Sequence, residues 1–112
     1  MGLPEPYQES IERLCSWFFT VGARTYAICV EKLLEIIEKG YTTYKRGGST
    51  LEWYVLNKLK KHGILRLTRI HFCGELTEKA VYVANRAGLA RLRTVLEMLD
   101  RAPPACLESN EG

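Results

Sequence analysis

Gly63 separates two segments whose apolar residues follow different spacings. Before it, Leu51, Val55 and Leu59 recur every four residues, so they share one face of a helix over residues 50–62. After it, apolar and polar residues alternate, which is typical of a half-buried strand. A chain with both patterns has to pack at least one helix against a small sheet.

The alternating segment predicts an antiparallel hairpin. Residues 64–72 form its first strand, with a slip in phase that indicates a bulge near Thr68. Residues 73–75 begin a turn, and residues 80–84 are rich in valine and tyrosine, which favour a return strand. We therefore predict a hairpin over residues 64–84.

Glycines and capping residues divide the part of the chain that precedes this hairpin. Glycine favours helix ends and turns, whereas serine and threonine favour the residue before a helix. The predicted elements are a helix over 7–20, a break at Gly22, a helix over 25–39 with Thr25 as N-cap and Gly40 as C-cap, a strand over 41–45, a turn at 46–48, and the helix over 50–62 with Ser49 or Thr50 as N-cap.

A last helix is predicted over residues 85–100, with Asn85 as its N-cap, and residues 101–112 are predicted to form a flexible tail. Leucines recur in this helix at intervals of three and four residues, a spacing found both in helices that cover their own core and in paired helices. The interface predicted for a homodimer consists of Leu89, Leu92, Leu96 and Leu99.

These elements predict a mainly α-helical α+β fold with a small antiparallel hairpin, in a single domain over residues 1–100. The 112 residues are 46% hydrophobic, which is enough for a packed core. Glutamine occurs once and asparagine three times, a scarcity typical of heat-adapted proteins.

Positive charge is concentrated in residues 41–72, although the whole chain carries a formal net charge of only +3. The sole acidic residue of that segment is Glu52. Such asymmetry favours a polyanionic partner, whereas the alternative is a lysine-rich surface that serves solubility alone. The basic residues of the segment are Lys45, Arg46, Lys58, Lys60, Lys61, Arg66 and Arg69.

Several classes of protein are not expected. The longest apolar stretch, residues 14–23, is too short to span a membrane, and the acidic residues before it do not fit an export signal, so we expect a cytoplasmic protein with no membrane partner. The four cysteines and two histidines lack the spacing of a zinc site. Without a phosphate-binding loop or a nucleophile motif, we expect neither an enzyme nor a cofactor.

Two segments carry a resemblance to a known family. Residues 56–65 (LNKLKKHGIL) resemble the end of a recognition helix that runs into the first strand of a wing, and residues 82–88 (YVANRAG) resemble a second wing strand followed by a closing helix. Over residues 25–100, the order of elements is similar to that of the winged helix-turn-helix regulators of transcription.

Two departures from that family concern the helix before the recognition helix and the tip of the wing. The family has a short helix where residues 41–48 look extended, so either the helix over 25–39 takes its place or it is reduced to a turn. At the tip of the wing, Glu75 and Glu78 outnumber Lys79, and an acidic tip is repelled by phosphates.

The resemblance implies that the helix over 50–62 enters the major groove of double-stranded DNA and that the protein acts as a homodimer. Asn57 would then contact adenine, and the basic side chains and the amides near Ser49 would hold phosphates. The predicted contact residues are Lys45, Arg46, Ser49, Thr50, Trp53, Asn57, Lys60, Lys61, Arg66 and Arg69.

Two alternatives use the same helix differently. As a protein-interaction module, the domain would insert Trp53 and Tyr54 into a groove of its partner. As an RNA-binding protein, it would stack unpaired bases on those rings.

Overall fold

In a computed structural model of the protein, helices and strands make up most of the chain. The structure describes residues 5–20, 22–45, 47–68, 71–72, 75–76 and 79–101. The helices are α1 (Glu5–Phe18), α2 (Ala23–Lys39), α3 (Thr50–Lys61) and α4 (Arg93–Arg101). The strands are β1 (Thr42–Lys45), β2 (Leu65–Leu67), β3 (His71–Phe72), β4 (Glu75–Leu76) and β5 (Lys79–Ala84). The predicted α+β class is confirmed.

Two of the four predicted caps, Gly40 and Ser49, are confirmed, and the other two, Thr25 and Asn85, are wrong. Gly40 ends α2 in the left-handed region, with a φ of 94°, and its amide donates to the carbonyl of Ile36. Ser49 is the N-cap of α3, because its hydroxyl accepts from the amide of Glu52 at 3.3 Å. Thr25 is not the N-cap of α2, since that helix begins at Ala23 and the Thr25 hydroxyl donates to the Gly22 carbonyl.

The last helix begins later than predicted. Asn85 does not cap it, because residues 86–91 form a series of turns and α4 begins at Arg93. The amide of Asn85 donates to the carbonyl of Ile64, which holds the end of β5 against the start of β2. Beyond Asn85, the chain passes so close to Gly63 that a Cβ at Gly88 would overlap the Gly63 carbonyl oxygen. The tail predicted over 101–112 lies outside the described residues except for Arg101, which still belongs to α4.

The main sheet has three antiparallel strands in the order β1–β5–β2. The return strand predicted over 80–84 is confirmed as β5, but the first strand predicted over 64–72 is too long, because only β2 pairs with β5 and residues 71–72 belong to another ladder. The strand predicted over 41–45 joins the sheet as β1 on the other side of β5. The ladder of β2 ends near Thr68, whose amide donates to the Val81 carbonyl. Residues 69–70, which follow the predicted bulge, lie outside the described residues. A separate ladder pairs β3 with β4.

The four helices contribute to a core on one face of this sheet. Strand alternation and burial place Thr42, Leu65 and Tyr82 on that face. Thr42 is fully buried, and its hydroxyl donates to Glu35 Oε1 on α2 at 2.8 Å. Burial raises the pKa of the Tyr82 hydroxyl, and the nearby Tyr44 adds to that rise, so Tyr82 stays neutral at physiological pH.

A disulfide between Cys15 and Cys29 joins α1 to α2 inside this core. Their Cα atoms are 5.8 Å apart, and neither side chain has exposed surface. The scattered spacing of the four cysteines favours small buried side chains without a disulfide, and that expectation is wrong for Cys15 and Cys29. Cys73 and Cys106 lie outside the described residues. No helix in the described ranges is both long enough and apolar enough to cross a bilayer.

The close contact between Gly63 and Gly88 predicts a large effect of a single methyl group. Gly88→Ala should lower the free energy of unfolding by about 3 kcal/mol, because two backbone segments have to separate. The control is Gly47→Ala, where a Cβ meets no atom within 4 Å and only the positive φ of 84° opposes the change, at about 1 kcal/mol. Urea unfolding measures both values, and equal losses would contradict the proposed contact.

Candidate nucleic-acid interface on the third helix

One face of α3 is anchored in the core and the opposite face is open to solvent. Val55, Leu56 and Leu59 have no exposed surface, and burial of each such side chain contributes about 2 kcal/mol. This confirms the inward position predicted for Val55 and Leu59, whereas Leu51 is only half-buried. The exposed residues of the helix are Thr50, Trp53, Tyr54, Lys60 and Lys61, with Asn57 partly exposed among them.

A buried lysine fixes α3 relative to the neighbouring elements. Lys32, on α2, is only 8% exposed, and its Nζ lies 3.2 Å from Glu52 Oε2 on α3. The same ammonium group donates to the carbonyl of Thr43 on β1 at 3.3 Å. The sequence prediction missed Lys32, although its position between the inward-facing Cys29 and Ile36 was a usable signal.

The pairing of Lys32 with Glu52 changes the charge balance of the basic segment. Glu52, its sole acid, is occupied by a lysine from α2 and does not neutralise the lysines of α3. Among the residues that the structure describes, no ion pair includes Lys60 or Lys61. Both ammonium groups are exposed, so the face of α3 is electropositive.

Lys58 lies on a different flank of α3, toward the end of α1. Its Nζ lies 5.3 Å from the centre of the Phe19 ring and 5.8 Å from that of Tyr54. These are cation–π distances. Lys58 is therefore partly buried over aromatic rings, whereas Lys60 and Lys61 extend into solvent.

Two predicted contact residues lie away from α3. Lys45 is opposite Lys79, and Arg66 is opposite Val83, so strand alternation places both on the sheet face that points away from the core. They therefore lie on the sheet and not on the exposed face of α3. Arg46 and Arg69 lie outside the described residues.

The turn before α3 uses several of its polar groups internally. The amide of Gly48 donates to the Lys45 carbonyl at 2.9 Å, and the Ser49 hydroxyl caps the helix. Gly48 and Ser49 thus form the turn, and Thr50 is exposed at the first position of α3.

The leucines predicted for a dimer interface contact the core of their own chain. Leu89 is 2% exposed, and Leu92, Leu96 and Leu99 are partly buried against the same core. Their spacing is therefore explained within one chain, and the homodimer stays a prediction. The exposed face of α4 is charged instead, with Arg93, Glu97, Asp100 and Arg101.

An aromatic group at the end of α1 was not predicted as a site. The ring of Trp17 stacks on Phe18, and Phe18 packs against His62 just beyond α3. Phe19 faces inward and meets Tyr54 edge to face. The sequence contained a signal for an exposed aromatic residue here, because three consecutive aromatic residues cannot all lie on the inward face of one helix.

The described residues include no group of three or more His, Cys, Asp or Glu side chains placed to hold a metal ion. No protein-family model, curated protein or solved structure matches this chain.

The Lys32–Glu52 pair predicts unequal effects for two similar substitutions. Glu52→Gln should lower the free energy of unfolding by about 1–2 kcal/mol, because it leaves a buried ammonium group without its carboxylate. Glu9→Gln breaks an exposed pair with Arg13 and should cost less than about 0.5 kcal/mol. Thermal unfolding of both variants checks this, and equal midpoints would contradict the anchoring role of Glu52.

Proposed function

We propose that this chain is a winged helix-turn-helix protein that binds double-stranded DNA through the exposed face of α3 and regulates transcription. The observation that carries the proposal is the exposure of Lys60 and Lys61, without a carboxylate partner among the described residues, on a helix whose other face is buried. A helix with this surface fits the width of the major groove, and its lysines would displace counterions from the phosphates.

The order of elements supports the family assignment. α3 is followed by the antiparallel strands β2 and β5 and then by α4, as the resemblance implies. The described residues between β1 and α3 form no helix, so we infer that α2 takes the place of the family's supporting helix. The contact of Lys32 with Glu52 is consistent with this role, because it joins α2 directly to α3.

Asn57 is the residue that we propose to contact a base. It lies one turn from Trp53 and Tyr54 on one side and from Lys60 and Lys61 on the other, at the centre of the exposed face. Its amide can donate to and accept from adenine at the same time, and this pair of hydrogen bonds distinguishes adenine from other bases. Contacts to phosphates carry no such sequence information. The lysines would set affinity and Asn57 would set sequence preference.

Reversal of two charges tests the duplex-binding face. Lys60→Glu with Lys61→Glu should weaken binding to a labelled DNA duplex by about 100-fold and reduce the slope of log affinity against log salt by about 2. The control, Arg91→Glu with Arg93→Glu, makes the same change in net charge at exposed positions near α4. Fluorescence anisotropy at several salt concentrations measures all three proteins.

The control pair should change affinity far less than the α3 pair. Equal losses would mean that only net charge matters, and retained duplex binding in the α3 variant would show that α3 is not the interface. Absence of duplex binding by the parent protein at every salt concentration would instead favour the protein-interaction alternative, in which the exposed rings of Trp53 and Tyr54 are the anchors.

The homodimer is tested separately by mass. Two copies of α3 would contact two half-sites one helical turn apart, so we expect a complex of two chains per palindromic duplex. Analytical ultracentrifugation of the free protein and of the complex measures this. One chain per duplex would remove the dimer from the proposal and leave duplex binding in place.

A further inference from the structure

Three aromatic rings, here called the stack, contact one another in series from the last turn of α1 to the residue after α3, the first pair stacked and the second pair tilted. The ring centroids of Trp17 and Phe18 are 5.2 Å apart with an interplanar angle of 26°, and those of Phe18 and His62 are 4.6 Å apart at 40°. Trp17 is 72% exposed, which leaves most of its indole in solvent. One end of the stack is therefore open to a further flat ring.

The exposure of Trp17 is not required by the packing of α1. The inward position at this end of α1 is filled by Phe19, which is 5% exposed and meets the Tyr54 ring with centroids 6.1 Å apart. Trp17 makes its described ring contact with Phe18 and does not belong to the core. Single exposed aromatic residues are common, but an open stack of three rings is a surface with a defined shape.

Lys58 brings a positive charge to the flank of α3 that faces the end of α1. Lys58 is held over the rings of Phe19 and Tyr54, and it precedes His62 by one helical turn. Among the described residues, no ion pair includes Lys58. A ligand that fits both features has a flat aromatic group joined to an anion, as a nucleotide does.

We propose that Trp17, Phe18 and His62 form a stacking platform for an unpaired base of a single-stranded nucleic acid, with Lys58 next to its phosphate. Duplex DNA cannot use such a platform, because its bases are stacked on one another inside the helix. The platform lies on the flank of α3 that faces α1, apart from the face with Trp53, Asn57 and Lys60. The inference goes beyond the proposed duplex binding and does not depend on it.

The two tryptophans of the chain allow the two surfaces to be followed separately. Trp53→Phe leaves Trp17 as the only tryptophan, and titration with a ten-residue oligo(dT) should quench its fluorescence. Trp17→Phe leaves Trp53 alone, and the same titration should quench it much less. The same titrations with oligo(rU) show whether the platform distinguishes RNA from DNA.

Affinity measurements complete the test. Trp17→Ala should weaken oligo(dT) binding by about ten-fold and leave duplex affinity and thermal stability unchanged, because the indole stacks on a base and not in the core. Trp17→Phe, which keeps an aromatic ring, should recover most of the lost affinity. Trp53→Ala, the matched change at the other exposed tryptophan, should leave oligo(dT) binding within about two-fold of the parent.

Absence of Trp17 quenching, or equal losses from Trp17→Ala and Trp53→Ala, would overturn the proposal. A fall in molecular mass in Trp17→Ala without any oligo(dT) binding would also overturn it, and would identify the platform as a self-association surface. If the protein binds duplex DNA but not oligo(dT), only the stacking platform is overturned. If it binds oligo(dT) but not duplex DNA, only the proposed duplex-binding function is overturned.

Discussion

The ammonium group of Lys32 binds partners on two neighbouring elements and so fixes α2, β1 and α3 relative to one another. A lysine that is 8% exposed loses most of its hydration, which is costly unless charged and polar partners replace the water. Glu52 and the Thr43 carbonyl supply those partners from two different elements. Hydrophobic burial holds α3 against the core without regard to direction, whereas these polar contacts define its orientation. The exposed face of α3 depends on that orientation.

The disulfide extends the same arrangement to α1. The bond between Cys15 and Cys29 closes a loop with a sequence separation of 14, which corresponds to about 3 kcal/mol of stabilisation for a loop of that size. It holds α1 against α2, while Lys32 holds α2 against α3. The Trp17–Phe18–His62 stack crosses from α1 to α3, so its geometry depends on both connections.

The sequence predicted those elements whose signals are local. The spacing of Val55 and Leu59 predicts the inward face of α3 within one segment, and Gly40 marks a helix end by its own backbone preference. Features that depend on distant residues were missed or misplaced. The late start of α4 accompanies a contact between Gly88 and Gly63, and no local pattern reports such a contact. Arg66 lies on the sheet face that points away from the core, because β2 pairs with β5 in the observed register. The spacing of charges along the sequence does not predict that pairing.

The lysines at the end of α3 have two physical explanations, and they differ in what they require of the surroundings. The helix dipole favours cations in the last turn, so Lys58, Lys60 and Lys61 each gain a few tenths of a kcal/mol from their position. This stabilisation by the dipole does not require the absence of carboxylates. Nearby carboxylates would even reduce the repulsion between Lys58 and Lys61, which are three residues apart. Such carboxylates are present elsewhere, since Glu9 and Glu35 pair with cations one turn away on their own helices. The described part of the chain provides no carboxylate partner for Lys60 or Lys61, and the proposed polyanionic ligand would require these two charges to remain unneutralised.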